Sequence, residues 1–521
     1  MSRPVVGRQA SMEGTERSAA APTGKRLLLV EPPFYRLYKD SYSLTRYPLS
    51  LGYLAAVAGE RTDWRVRVYN ADFVPEAESV SFSHLSGPGF QRYRRLLSDT
   101  TAPIWSEVRR RIAEYRPAVV GVTAKSQNYT AALNVAALVR EIDPGIAVVF
   151  GGPHPSLTGG EILATGLVDY VVVGEGEETF VELLQALGDD PTRVSSAKLE
   201  SIRGLYFNGP DGPRFNGPRE FITDLDSLPY PHEYAAEVLW DHDDYPDYAF
   251  RSLMATRGCP YNCFFCGSRN LWSRRVRFRS VADVVRQINS LAAHGIQRVH
   301  FEDDTFGVTR SYLRRLCHAM RLHCPGVEWS CETHVNLIDV ANLRLMRDAG
   351  CVSIQLGVES GSNRVLSDMR KRYTIEDARR AAGLIARHGL ELEAFFMVGF
   401  ITDDEESLAE TWWAMKTIPG MISYSIFTPY PGTEAFERCR ELGLLDDDYD
   451  VSRFNHQSPA NCFSDRLEHD RFRRMVAVIE RGVDRKNRQR WLRDKLSFGT
   501  LRRLRRLGLR TVLRRLRQYA H

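Results

Sequence analysis

The chain has 521 residues, 43% of them hydrophobic, and a formal net charge of +5 from 70 basic and 65 acidic side chains. That length exceeds what one hydrophobic core organises, so two or three domains are expected, and no stretch has the apolar length of a membrane-spanning helix. The basicity is local: from Arg493 to His521, nine arginines and one lysine face Asp494 alone, which points to a charged tail rather than a basic nucleic-acid-binding fold.

Residues 1–24 lack apolar periodicity and the apolar core of a signal peptide, and they read as a disordered leader. From residue 25 to 190, short apolar runs alternate with helical stretches. Strands are predicted at Leu27–Val30, Val66–Tyr69, Ala118–Thr123, Ala147–Phe150 and Tyr170–Val173, and helices at Leu49–Gly59, Ala131–Glu141, near Glu161 and at Glu178–Leu187. This alternation predicts an α/β domain with a doubly wound parallel sheet, whose ligand sits beyond the carboxyl ends of the strands. Small and polar residues gather at those ends: Glu31-Pro32-Pro33, Thr123 to Gln127, Gly151-Gly152-Pro153-His154-Pro155 and Gly174-Glu175-Gly176-Glu177. Each loop alone is an ordinary turn; several converging on one edge suggest a site for a bulky ligand.

Residues 191–245 are rich in Gly, Pro and Asp and read as a linker. A second alternating unit spans residues 246–440. Its strands are predicted at Arg298–Phe301, Glu328–Thr333, Val352–Val358, Glu393–Gly399 and Ser423–Phe427, with helices from Val281, Ser311, Asp339, Ile375 and Glu405, a pattern that can curl into a full or partial (β/α) barrel. In Ser353 to Glu359 the apolar residues take every second place, which turns Ser353, Gln355, Gly357 and Glu359 into the lumen. Residues 441–521 form a helical C-terminal extension that ends in the basic segment. There Leu501, Leu504, Leu513 and Leu516 fall at helical spacing among arginines, a pattern that suits peripheral contact with an anionic membrane or packing on the barrel.

Nine cysteines are present, and three of them stand as Cys259-Pro-Tyr-Asn-Cys263-Phe-Phe-Cys266. Three thiolates from one loop can hold an iron–sulfur cube and leave the fourth iron open to a small molecule. The remaining cysteines are scattered singly, with no second pair at zinc-ligand spacing, and an odd count in a chain without a secretory leader argues against a disulfide framework.

The loop Gly258 to Cys266, with Phe265 before the third cysteine, resembles the signature of the radical S-adenosylmethionine (SAM) superfamily. The stretches His300 to Phe306, Gly357 to Gly361 and Phe396 to Phe400 resemble strand-end motifs of its cobalamin-dependent branch, and residues 25–190 resemble the cobalamin-binding domain found there, including the Gly-Gly-x-His-Pro and Gly-Glu-Gly-Glu turns. The resemblance implies a [4Fe-4S] cluster on Cys259, Cys263 and Cys266. It implies SAM bound near Phe265, Gly357 and Glu359 and near one acid of Glu302, Asp303 and Asp304, which replace the Gly-Gly-Glu of the family. It implies cobalamin near Thr123, Ser126, Gly151, Gly152, Pro153, His154, Gly174, Glu175 and Gly176. The Asp-x-His-x-x-Gly that brings histidine to cobalt in another cobalamin family is absent from Glu31 to Tyr38, so no histidine is expected beneath the cobalt.

The function this implies is methylation of an unactivated carbon of a small molecule. One SAM recharges the cobalamin with methyl, and another yields the 5′-deoxyadenosyl radical that abstracts the substrate hydrogen. Oxidation or ring formation on the same cofactors is the alternative, and a cobalamin sensor without catalysis has no use for an open iron. Glu332 and His334, at and beyond the end of a barrel strand, are candidates to touch substrate. The remaining partner is a cellular one-electron reductant; no nucleic-acid partner is expected, and the location is cytoplasmic or at the membrane periphery.

Overall fold

The computed structural model describes residues 25–496, apart from 189–190, 192–193, 447, 452–455 and 457. The expected leader and the Leu501 to Leu516 segment lie outside the described residues.

The first sheet is built on β1 (Arg26–Glu31), β2 (Arg65–Asn70), β3 (Val119–Thr123), β4 (Ala147–Gly151) and β5 (Tyr170–Val172), parallel in the order β2-β1-β3-β4-β5. The runs Leu-Leu-Leu-Val in β1 and Val-Val-Gly-Val in β3 are buried on both faces, which is why they read as unbroken apolar stretches. One apolar layer joins Leu28, Val30, Val120, Val122, Val148 and Phe150 to the helices on one face. The other joins Leu27, Leu29, Val119 and Val149 to the helices Leu49–Arg61 and Gly176–Leu187. Helices Pro88–Ser98 and Pro103–Tyr115, absent from the sequence reading, complete the first face with Trp105 fully buried. The strand order reverses between β1 and β3, and that switch point opens a crevice at the carboxyl edge.

The linker reading of 191–245 is corrected here. Its β6 (Leu205–Gly209) and β7 (Gly212–Phe215) form an antiparallel hairpin that continues the first sheet from β5. The helix Pro231–Val238 packs Ala235 and Val238 into the same core, and Val68 bridges to Leu239. Glycines and prolines there make turns between folded pieces rather than a loose connection.

The second sheet follows. A short β8 (Ser252–Leu253) leads to the ribbon of β9 (Thr256–Arg257) and β10 (Arg277–Phe278), which brackets the cysteine loop. Then come β11 (Arg298–Phe301), β12 (Glu328–His334), β13 (Cys351–Glu359), β14 (Glu391–Val398) and β15 (Met421–Ile426). The order β15-β14-β13-β12-β11-β8, parallel throughout, is a partial (β/α) barrel with each strand beside its predecessor. Strand β13 alternates as expected, with Ile354, Leu356 and Val358 buried against helices and Ser353, Gln355, Gly357 and Glu359 on the other face. The helix His469–Leu496 closes the far edge. It sinks Phe472, Val476, Ile479 and Val483 into the barrel core, while Asn487 accepts from the Ile422 N–H and donates to its carbonyl, covering the open edge of β15. Among the described residues no helix is long and apolar enough to cross a membrane.

Candidate active site

The carboxyl edges of the two sheets face one another across a cleft of about 2040 Å³, part of it open to solvent. The first domain contributes Thr123, Gly151, Gly152, Pro153, Gly174, Glu175 and Gly176; the second contributes Ser252, Met254, Arg257, Trp272 and Glu302. Gly174 has φ +77°, and a Cβ there would meet nothing within 4 Å, so a side chain would stand in the open cleft. Asp72 ties down the Glu31 to Tyr38 loop by accepting from the Phe34 and Arg36 N–H groups at 2.8 and 3.0 Å, and burial pushes its carboxyl up to about 7. Among the described residues no histidine lines this cleft.

Two residues expected at cobalamin are placed elsewhere. His154 is buried, with Nδ1 3.0 Å from Ser126 Oγ and its ring against Tyr129; neither His154 nor Ser126 lines the cleft, because this pair fastens the turn from beneath. Glu175 reaches the cleft wall, but its carboxylate is spent. Its Oε1 accepts from Arg257, and its Oε2 from Arg277 and from the Ile222 N–H.

Beside the cleft lies the cysteine loop. All three thiols are free, and burial pushes that of Cys263 up, against the pull of Lys371. Gly258 opens the loop at φ +102°, where a Cβ would collide with the Arg275 carbonyl oxygen; only glycine fits. Among the described residues no group of three or more His, Cys, Asp or Glu side chains is set to hold a metal ion. The three thiols therefore do not form a ready-made site for one ion, and a cubane, which takes one thiolate on each of three irons, needs a wider spread.

The three acids after β11 separate by burial. Asp303 is 2% exposed and accepts from the Ala255 N–H at 2.8 Å and the Thr256 hydroxyl at 2.6 Å, so it anchors the strand before the loop, which leaves Glu302 and Asp304 as the accessible acids of the three. Asp304 accepts from the Gly258 N–H and the Ser268 hydroxyl, both at 3.2 Å, and so sits at both ends of the cysteine loop. Glu302 accepts from Ser252 at 2.8 Å and faces the cleft.

On the far side of the loop, a register shift in β13 carries Glu359 into φ +65°, a left-handed conformation that a non-glycine residue adopts only under constraint. Its Oε1 accepts from Lys371 at 3.0 Å. Burial works against the Lys371 charge, yet Glu359 and Tyr373 hold its pKa well above the usual lysine range. Lys371 also lies 5.7 Å from the Phe265 ring centre, and Tyr373 donates to the Gly357 carbonyl at 2.8 Å. His334 stacks on Tyr261 of the cysteine loop at 3.7 Å, with Nδ1 accepting from the Asn336 N–H and Nε2 unpartnered. Glu332 presents surface to the lumen. Protein packed around it, then Glu359, Glu302 and Asp304, push its carboxyl up to about 7. Lys371, Tyr261, Ser268 and Arg257 escaped the sequence reading. Lys371 stands in the run Arg370-Lys371-Arg372, which gives no sign that its middle member turns inward.

The family models that match are the Radical SAM superfamily over residues 253–411 and the B12 binding domain over residues 36–184. The chain is 30% identical over 429 residues to an uncharacterized methyltransferase of Pyrococcus horikoshii, covering 81% of this chain and 84% of that one. It is also 30% identical over 361 residues to the anaerobic magnesium-protoporphyrin IX monomethyl ester cyclase of Rubrivivax gelatinosus, covering 68% of this chain and 63% of that one. In fold it is similar to the radical SAM methyltransferase TsrM of Kitasatospora setae, solved with tryptophan and a SAM analogue, at TM-score 0.60 and 18% identity, over 81% of this chain and 77% of that one.

Proposed function

Because the chain belongs to the cobalamin-dependent radical SAM enzymes, with a [4Fe-4S] cluster, SAM and cobalamin as cofactors, we propose that it moves a methyl group to an unactivated carbon of a small molecule held in the interdomain cleft. The observation that carries this reading is the meeting, at one cleft, of the glycine-lined edge of the first sheet with Arg257 and Trp272, which flank the cysteine loop. When bound, the cluster supplies the electron that breaks SAM to methionine and a 5′-deoxyadenosyl radical, and cobalamin supplies the methyl group to be moved.

The residues present fit those groups and divide the work. Cys259, Cys263 and Cys266 hold the cluster. Asp304, next to the loop and with an accessible face, is the acid that receives the methionine amine, since Asp303 is consumed internally. Glu359, held in place by the Lys371 ammonium, accepts from the SAM nucleoside, with Gly357 and Phe265 as neighbours. Thr123, Gly151, Gly152, Pro153, Gly174 and Gly176 would let backbone come close to the corrin. Glu302 faces the cleft left for substrate, and Glu332 and the buried His334, stacked on Tyr261, stand behind it at the end of β12. Two sheets closing on one cleft exclude water from a radical that water and stray donors would quench. The electron comes from a cellular one-electron reductant, and the basic segment beyond Arg493 suits contact with an anionic membrane.

The test is an anaerobic reaction of the reconstituted protein with methyl-deuterated SAM and candidate substrates from neighbouring genes, read by mass spectrometry. A product carrying the labelled methyl is expected. A product that is oxidised or cyclised without the label would overturn methyl transfer in favour of the cyclase-like alternative.

A further inference from the structure

The turn that lines the cobalamin side of the cleft and the ribbon that carries the cysteine loop are joined by a buried ionic lattice. Arg257, two residues before Cys259 and 7% exposed, donates from Nη1 to Glu175 Oε1 at 2.8 Å and from Nη2 to Glu177 Oε1 at 2.6 Å. Glu175 and Glu177, 8% and 5% exposed, follow Gly174, Glu175 as the N-cap and Glu177 in the first turn of the helix Gly176–Leu187. Arg277, paired with Arg257 across the β9–β10 ribbon, donates to Glu175 Oε2 at 2.6 Å and to the Ile222 carbonyl at 2.7 Å. The Arg257 guanidinium lies 5.3 Å from the ring centre of Tyr53, on another cleft-lining helix.

Two carboxylates and two guanidiniums balance, but burying them gives less stability than an apolar contact of the same size; what such a lattice supplies is register, because each donor fits one acceptor direction. A guanidinium fork spans two carboxylates at once, which an ammonium cannot do. From this placement we infer that the Glu175–Arg257–Glu177 bridge, braced by Arg277, fixes the separation and facing of the two cofactor sites, so that a substrate radical formed on one side meets the methyl group on the other. These are positioning residues, and the inference rests on the two-cofactor reading above. A substrate radical that misses the methyl group must be quenched by one electron and a proton from a reductant, which leaves 5′-deoxyadenosine without methylated product.

The test uses the full chain with cluster and cobalamin reconstituted, as wild type, Arg257→Lys and Glu177→Gln. The readout independent of turnover is the dipolar interaction between Co(II) cobalamin and the reduced cluster, measured by electron paramagnetic resonance. Both variants are expected to bind both cofactors, to show a shifted or broadened interaction, and, where product forms, to release about tenfold more 5′-deoxyadenosine per methylation, since small misplacements of reacting groups cost that much or more. Glu177→Gln keeps shape and one hydrogen bond, so it carries the test if Arg257→Lys does not fold. An unchanged dipolar interaction in the folded variants overturns the inference, as does loss of both cofactors from Glu177→Gln, which would make the lattice a folding element. A wild type that makes no methylated product would overturn the proposed function and leave the dipolar result standing.

Discussion

At the scale of single residues, neighbouring acids of one motif take different parts because burial divides them. Asp303 is fully enclosed, and burial pushes its carboxyl from an ordinary value of 3.8 to about 7, despite the Thr256 and Ala255 donors. The folded state therefore holds this proton more tightly than the unfolded chain, so its contribution is complete below about pH 4 and is lost as the pH rises through 7. Asp303→Asn should flatten the fall in melting temperature between pH 5 and 8, by up to a few kcal/mol in stability; an unaltered slope would show that Asp303 is ionised throughout. Glu359 needs a gentler substitution. Glu359→Ala would leave Lys371 buried without its partner, at a cost of about 3 to 5 kcal/mol, so loss of SAM binding in that variant would say little. Glu359→Gln keeps the shape and should weaken SAM binding about thirtyfold, the loss of one charged hydrogen bond, with iron content unchanged. Equilibrium binding of SAM to the reconstituted protein checks it, and unchanged affinity would remove Glu359 from the SAM site.

At the scale of elements, the β9–β10 ribbon matters more than its length suggests. It brackets the cysteine loop, carries Arg257 and Arg277 toward the first domain, and depends on Gly258, where backbone at φ +102° passes the Arg275 carbonyl without room for a Cβ. Gly258→Ala should cost on the order of 2 kcal/mol or more and lower the iron bound per chain; full iron content would mean that the loop relaxes freely. Replacing Cys259, Cys263 and Cys266 together by Ala is expected to remove the broad visible absorption of the cluster and all 5′-deoxyadenosine formation, while cobalamin still binds. Retained iron would refute the ligand assignment.

At the scale of the whole molecule, the cleft belongs to neither domain alone. Cobalamin added at about a hundred times its dissociation constant should stabilise the protein by about 2.7 kcal/mol. Because Ser252, Met254, Arg257 and Trp272 share the cleft with the first domain, hydrogen exchange should slow in residues 252–257 and 271–272 as well as in 121–128 and 151–176. Protection confined to the first domain would show that the second does not close on the ligand.

The sequence by itself determined what is local. Apolar runs in β1 and β3, the alternation in β13 and the CxxxCxxC spacing each depend on residues a few places apart, so the doubly wound sheet, the partial barrel and the cysteine loop were all legible. The resemblance of short motifs extended this to the cofactors. Tertiary structure alone decided which polar side chains remain free, because hydrogen-bond partners come from distant segments. Asp303 is claimed by Thr256, Glu175 by Arg257 and Arg277, and His154 by Ser126, while Lys371 turns inward to Glu359. The hairpin of β6 and β7 was hidden for a related reason: its glycines and prolines look like a linker until β5 offers an edge to pair with. Composition sets the local conformation, but burial and partner choice depend on what folds alongside.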